Sequence, residues 1–293
     1  MNLNGLTCRA YLGIRELKIV QILSRIPGVK RPAKRLLKVL LPSEPVWVQV
    51  RSGMSQGMWM RLNLQDEARL WRGDHEPTLQ GALRAALLPG TVVYDIGAHM
   101  GSIALGVARL VGPNGLVVAF EADRRNAETL RDNRDRNHLT GTLRIVSSAV
   151  WSYSSNGISF RSGGEKRAHG GVEMDGQRPV LGSGQLIEVP AVTLDDFVAN
   201  GGPLPQLVKI DVEGGEYDVL RGGDRLFSTQ RPLIAAEIHH KQAADRIGPW
   251  LIEHQYSSRW VAPVEKFPCC LFAWPETYKG SVWMWTSGMD QTV

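Results

Sequence analysis

Residues 92–101 read VVYDIGAHMG: a run of strand formers, one carboxylate, then small and polar residues bracketed by two glycines. A chain that ends an apolar strand and at once places two glycines lets its backbone approach something closely. The pattern predicts a strand ending at Ile96, a tight turn, and a helix opening near Ser102. Gly97 can take a backbone geometry closed to residues with a Cβ. Gly101 lets the helix start pack closely and leaves amides free for an anion. The first acid at the end of the next strand is Glu121, 24 positions after Gly97. A carboxylate about 20 residues beyond such a turn suits the ribose hydroxyls of a nucleoside. Together these features predict an adenosine-containing cofactor at the first switch point of a sheet.

A dinucleotide site wants G-x-G-x-x-G, and the middle glycine position is here His99, whose side chain would crowd a pyrophosphate. No G-x-x-x-x-G-K-[ST] is present, which excludes a P-loop. An adenosyl ligand without phosphates fits better, and S-adenosylmethionine (SAM) is the common one. Asp95 is then expected to receive its ammonium, directly or through water, and the loop amides its carboxylate. A nicotinamide-dependent oxidoreductase on a similar fold is the alternative, and His99 argues against it.

Outward from this loop, strands and helices alternate. TVVYDI, GLVVAFEA, LRIVSSAV, QLVKIDV and PLIAAEIHH read as strands, and SIALGVARLV, RNAETLRDNRDRN, GEYDVLRGG and ADRIGPWLIEH as helices. This predicts an α/β fold, a Rossmann-like, mostly parallel sheet with helices on both faces and ligands at the strand carboxyl ends. Before it, PTLQGALRAAL reads as a helix and residues 46–62 as a β-hairpin. The organisation expected is a basic helical segment plus hairpin over residues 1–75, then a cofactor-binding domain over 76–293. A glycine-rich insertion at about 152–190 interrupts that domain, with ISF and IEVPAVTL able to pair across it. Its glycine-rich part, 161–186, is either a lid or a surface loop without a role.

Composition bounds the rest. With 293 residues, 43% of them hydrophobic, the chain can bury a large core. Residues 1–42 carry nine Lys/Arg against Glu16 alone, while the remainder holds more acids than bases. A nucleic-acid partner for the body is therefore not expected. The leader is either a helical cap or a basic amphipathic element in peripheral contact with an anionic membrane. A non-catalytic, membrane-docking protein of this fold is the corresponding third reading. Three cysteines without ligand spacing, and no long apolar run, lead us to expect a cytoplasmic protein, free or at the inner membrane face. Oligomeric state is not legible.

The ordered set LLPGTVVYDIGAHMG, LVVAFEADRRNAETLRDNRDRN, Ala149–Val150, VTLDDF, LVKIDVEGGEYDVLRGG and RPLIAAE resembles the FkbM family of SAM-dependent methyltransferases, from about Glu76 to Glu237. The resemblance implies a class I methyltransferase sheet of seven strands with an antiparallel last strand. It also implies methyl transfer to a hydroxyl oxygen (O-methylation) of a sugar, glycolipid or polyketide-like acceptor. Two positions depart from the family pattern: His99 where it usually has Asn, and Glu121–Ala122 where it has Glu-Pro. The cofactor set expected is Asp95, Gly97, Ala98, His99, Gly101, Glu121, Ala122, Ser148 and Ala149.

For the chemistry, candidates must lie at strand ends on the cofactor edge. Asp211 is the first choice as base or acceptor-orienting acid, with His239, whose reference pKa is near neutral, second. Glu213 and Glu216 either bind acceptor hydroxyls or cap the following helix. Asp211, Glu237 and His239 permit a divalent metal without the spacing requiring one. His75 reads as a lone solvated histidine, Trp71 as a possible wall of the acceptor pocket, and Trp283 and Trp285 as one face of a late strand.

Overall fold

The computed structural model describes residues 41–163, 170–172, 184–261 and 267–279. The basic leader with its expected membrane contact, most of the glycine-rich stretch, and Trp283 and Trp285 lie outside the described residues.

Seven strands form the central sheet: β3 (Val92–Ile96), β4 (Leu116–Phe120), β5 (Leu143–Val146), β10 (Leu207–Ile210), β11 (Leu233–Ile238), β12 (Tyr256–Val261) and β13 (Cys269–Pro275). Their order is β12-β13-β11-β10-β3-β4-β5. All neighbours are parallel except β13, which runs antiparallel between β11 and β12. Because β3 is flanked by β4 on one side and β10 on the other, the winding reverses there and a crevice opens beyond the strand carboxyl ends. The parallel strands are buried on both faces, which is why they read as apolar runs rather than alternations.

Helices α1 (Ala68–Arg72), α2 (Pro77–Ala86), α3 (Ala104–Val111) and α4 (Arg124–Arg136) precede β5. α5 (Leu194–Ala199), α6 (Glu216–Arg221), α7 (Asp224–Thr229) and α8 (Lys241–Glu253) follow it. One core layer joins the sheet to α2, α3 and the hairpin, around Leu79, Leu83, Leu105 and Met60. The other joins it to α5–α8, around Phe227, Ile247 and Trp250.

The hairpin pairs β1 (Val46–Gln49) antiparallel to β2 (Trp59–Leu62). It packs into the first core layer through Met60 and Leu62, which are fully buried while Arg61 between them faces out. Its edge is closed by Asn133 of α4 and Asn137 just past its end, which accept hydrogen bonds from the backbone N–H groups of Arg61 and Trp59 respectively, each at 2.8 Å. An exposed strand edge is thereby satisfied without another strand.

Two expectations need correction. LRIVSSAV is not one strand: β5 stops at Val146, and β6 (Ala149–Val150) belongs to a separate four-stranded sheet with β7 (Ser155–Arg161), β8 (Gly171–Val172) and β9 (Leu186–Val192), ordered β6-β9-β7-β8. The serines at 147–148 turn the chain between sheets, and the Ser148 hydroxyl donates to Pro190 O at 2.9 Å. The expected pairing across the insertion is present as antiparallel β7–β9. The helix after the glycine loop opens at Ala104, with residues 102–103 in a turn.

Asn133 ties three elements together, since its Nδ2 also donates to Met100 O at 2.9 Å and its side chain is inaccessible to solvent. Asn133→Ala strands two backbone groups and should lower the unfolding free energy by about 2–4 kcal/mol in urea titration. Asp132→Ala on the exposed face, as control, should change it by no more than about 0.5 kcal/mol.

Candidate active site

The crevice at the β3/β10 switch is a cavity of about 320 Å³. Its lining includes Gly97, Ala98, His99, Glu121, Ala122, Ser148 and Ala149, all of them expected at the cofactor, together with Glu76, Lys209, Asp211 and Glu213.

The glycine loop explains its own sequence. At Gly97 (φ +77°) a Cβ would lie 1.8 Å from the carbonyl oxygen of Asp211, so the loop and the exit of β10 touch only because there is none. At Gly101 (φ +90°) a Cβ would meet Leu130 of α4 at 2.2 Å, so this glycine serves helix packing and is not on the cavity wall. His99 has φ 52°, the left-handed region that Asn and His tolerate better than most residues. That backbone demand accounts for either residue at the position.

The loop amides correct one expectation. Gly97 and Ala98 both donate to Phe120 O at 3.0 Å, Gly101 donates to Ala98 O at 2.9 Å, and His99 donates to Glu121 Oε2 at 2.7 Å. These four amides already have acceptors inside the protein and are not held open for a carboxylate.

Asp95 also differs from expectation. It is almost wholly buried, off the cavity wall, and paired with Lys209 Nζ at 3.0 Å. The parallel register sets Lys209 level with Asp95, so both side chains leave the sheet on one face. The ammonium also donates to Gly97 O at 3.1 Å and stands 3.5 Å from Asp211 Oδ2. Burial alone would depress the lysine pKa, but Asp95, Asp211 and Glu76 outweigh it and hold the group above its usual value.

Glu121 sits at the exit of β4. Its two oxygens accept from the amides of His99 and Asp123, at 2.7 and 2.8 Å. Burial nevertheless lifts its pKa to about 7, against the pull of those two hydrogen bonds.

On the same wall, Asp211 follows β10 directly. Continuing the β10–β11 register by one residue sets it level with Glu237. His239, just past β11, holds Glu216 Oε1 at 2.8 Å through Nδ1, while Nε2 faces Glu213 Oε2 at 3.4 Å and Asp211 Oδ1 at 3.7 Å. Burial opposes the charge on this imidazole, but the hydrogen bond to Glu216 and the carboxylates around it prevail and raise its pKa to about 10. His239 is therefore a charged donor at neutral pH, not the near-neutral base expected. Glu216 opens α6 without capping it: fully buried, it accepts from the N–H of Gly214, ahead of the helix, at 2.8 Å, and no side chain caps α6. His240 caps α8 by accepting from Ala243 N–H at 3.0 Å.

Sequence reading missed three residues here. Lys209 carried a signal, a lone lysine inside the apolar strand LVKI. His75 is buried rather than solvated, and burial lowers its pKa to about 4, with Lys209 and Arg69 adding to the effect. Glu76, in the left-handed region at φ 45° immediately before α2, reaches the Asp211 end, and burial followed by Asp211 raises its pKa to about 8. Neither of these two is near the strand ends in sequence. Trp71 is not on the cavity wall; Arg51 lies over its ring at 5.3 Å, and Arg69 and Leu70 face the cavity instead.

A seven-stranded sheet of this order, with a reversed β13 and a crevice at the β3/β10 switch, defines a class I methyltransferase fold. The family model described as "Methyltransferase FkbM domain" matches residues 95–258, over half of the chain, and the chain belongs to that family. Among relatives, the hexuronic acid methyltransferase AglP of Haloferax volcanii is 25% identical over 205 residues, covering 66% of this chain and 79% of AglP. A probable cobalt-precorrin-6B C(15)-methyltransferase of Thermoplasma volcanium is 35% identical over 71 residues, covering 24% of this chain and 35% of its own length. The solved FkbM methyltransferase of Methylobacillus flagellatus KT is 19% identical with a TM-score of 0.46, covering 63% of this chain and 43% of that one. The protein is thus a methyltransferase, and SAM is the methyl donor its family uses. Family membership removes the nicotinamide reading. The wall residues suit that donor: the small side chains of Gly97, Ala98, Ala122 and Ala149 leave room beside the Glu121 carboxylate.

Hydroxyl donors of a ribose favour ionised Glu121, so binding displaces a proton below pH 7 and affinity falls as pH falls. By calorimetry, SAM should bind roughly tenfold more weakly at pH 5.5 than at pH 7, and Glu121→Gln should remove most of that difference. An unchanged pH response in Glu121→Gln would remove Glu121 from the donor site. Lys209→Met should be far more damaging than a surface lysine change, costing about 3–5 kcal/mol of stability because Asp95 is left buried without its partner. Thermal and urea unfolding measure it.

Proposed function

We propose that this protein transfers a methyl group from SAM to a hydroxyl oxygen of a sugar, glycolipid or related natural product. The observation that carries the reading is the Asp211 carboxylate, at the exit of β10 on the wall of the same cavity that Glu121 lines. The hexuronic acid methyltransferase relative supports a sugar acceptor.

SAM supplies an electrophilic methyl on a sulfonium, and its thioether product leaves without protonation. What the protein must provide is alignment and a destination for the hydroxyl proton. Alignment of the reacting atoms supplies up to about 7–11 kcal/mol in favourable cases. Asp211 accepts the acceptor hydroxyl and then its proton. Lys209 faces Asp211 Oδ2 and His239 its Oδ1, and together they fix its orientation. Glu213, held in the left-handed region at φ 55° and facing His239, presents a second acceptor for a neighbouring hydroxyl. A vicinal diol, as in a pyranose ring, matches two carboxylates side by side.

Incubation with labelled SAM and fractionated glycosides, hexuronates and glycolipids tests this. Asp211→Ala should cut kcat by about 10²- to 10⁴-fold, the usual contribution of a positioned base, and leave SAM affinity nearly intact. Parallel losses in affinity and turnover would make Asp211 a cofactor anchor. Label appearing on nitrogen or carbon rather than oxygen would overturn the reading.

A further inference from the structure

Six carboxylates surround the acceptor end: Asp95, Asp211, Glu76, Glu213, Glu216 and Glu237. Among the described residues two basic side chains pair with them. Lys209 is held by Asp95 and Asp211, and His239 by Glu216, Glu213 and Asp211. Neither Lys209 nor His239 makes an ion pair with Glu76 or Glu237. A Glu76, an Asp211 and a Glu237 oxygen all lie within 4.8 Å of one another.

We infer that these three oxygens form a binding site for a hard divalent cation of the magnesium or manganese type, lying over the exit of β10 and β11. Carboxylate oxygens are the ligands such ions select, and three of them leave coordination positions for water and for an acceptor hydroxyl. The alternative grouping of Asp211, Glu213 and His239 is less suited, because each ring nitrogen of His239 already faces a carboxylate and acts as a donor.

Two further observations point to an absent partner at this wall. Glu76 Oε2 is buried and has no hydrogen-bond partner. The adjacent His75, only 8% exposed, lines the same cavity with both ring nitrogens unpartnered. A buried imidazole without a partner is costly, and water on a bound ion supplies one. Each carboxylate offers the ion one oxygen, so Asp211 keeps a second for the acceptor. The ion's use in holding an acceptor hydroxyl rests on the methyl-transfer reading; its binding does not.

Titration of the metal-free full chain with Mn²⁺, followed by calorimetry and by the loss of the free-ion paramagnetic resonance signal, tests the site without SAM. One Mn²⁺ per chain is expected. Glu76→Gln and Glu237→Gln should each weaken it about tenfold or more, while the exposed Glu128→Gln should leave it unchanged. Two ligand variants guard against one failing to fold, which circular dichroism reports. No saturable Mn²⁺ binding by the wild type, or binding indifferent to both ligand variants, overturns the inference. Methyl transfer undiminished by chelator, with no Mn²⁺ bound, leaves the proposed function standing alone. Mn²⁺ binding without transfer to any hydroxyl acceptor leaves the ion site standing alone.

Discussion

Lys209 lies in the middle of β10 with its ammonium enclosed, and three parts of the molecule meet at it: Asp95 on β3, the Gly97 carbonyl of the glycine loop, and Asp211 at the site. Burying an ammonium costs several kcal/mol per ion unless its partners are close and well directed. The parallel register of β3 and β10 provides that, because it sets Lys209 beside Asp95 on one face of the sheet. The loop can approach β10 only through the missing Cβ of Gly97. The glycine turn and the Asp211 carboxylate are thereby fixed to one another through a single charged group.

A second buried assembly continues the first. His239 bridges Glu216, at the start of α6, to Glu213 and Asp211. Its charge depends on carboxylates that would repel one another without it. The wall around Asp211 is therefore built from opposed charges in a low-dielectric setting, where fixed dipoles act more strongly than in water. The wall around Glu121 is built differently, from small side chains and a carboxylate held by two amides.

Much of this was legible in order along the chain. The apolar runs VVYDI, LVVAF and LIAAEI are strands because both of their faces are covered, and VVYDIGAHMG marks the switch point by its own local pattern. The same local logic, that ligands gather where parallel strands end, pointed to Gly97, Glu121 and Asp211, and all three line the cavity. Asp95 was misplaced because its spacing from the loop suggested a ligand, whereas the register with Lys209 turns it inward. The loop amides were misjudged for a similar reason: a glycine turn leaves N–H groups open only if no neighbouring strand supplies acceptors, and Phe120 supplies two.

The amino-acid sequence alone determined the alternation of elements, the position of the crevice and the family, because hydrophobic period, turn chemistry and ordered motifs act over a few residues to a few tens. Tertiary structure alone decided the charge states and partners within the crevice. His75 and Glu76 precede the first strand of the main sheet and reach the rim only after α2 has packed on its core. His239 is a charged donor because three carboxylates from another segment converge on it. Burial and electrostatic coupling depend on what lies within a few ångströms, and no local pattern carries that information.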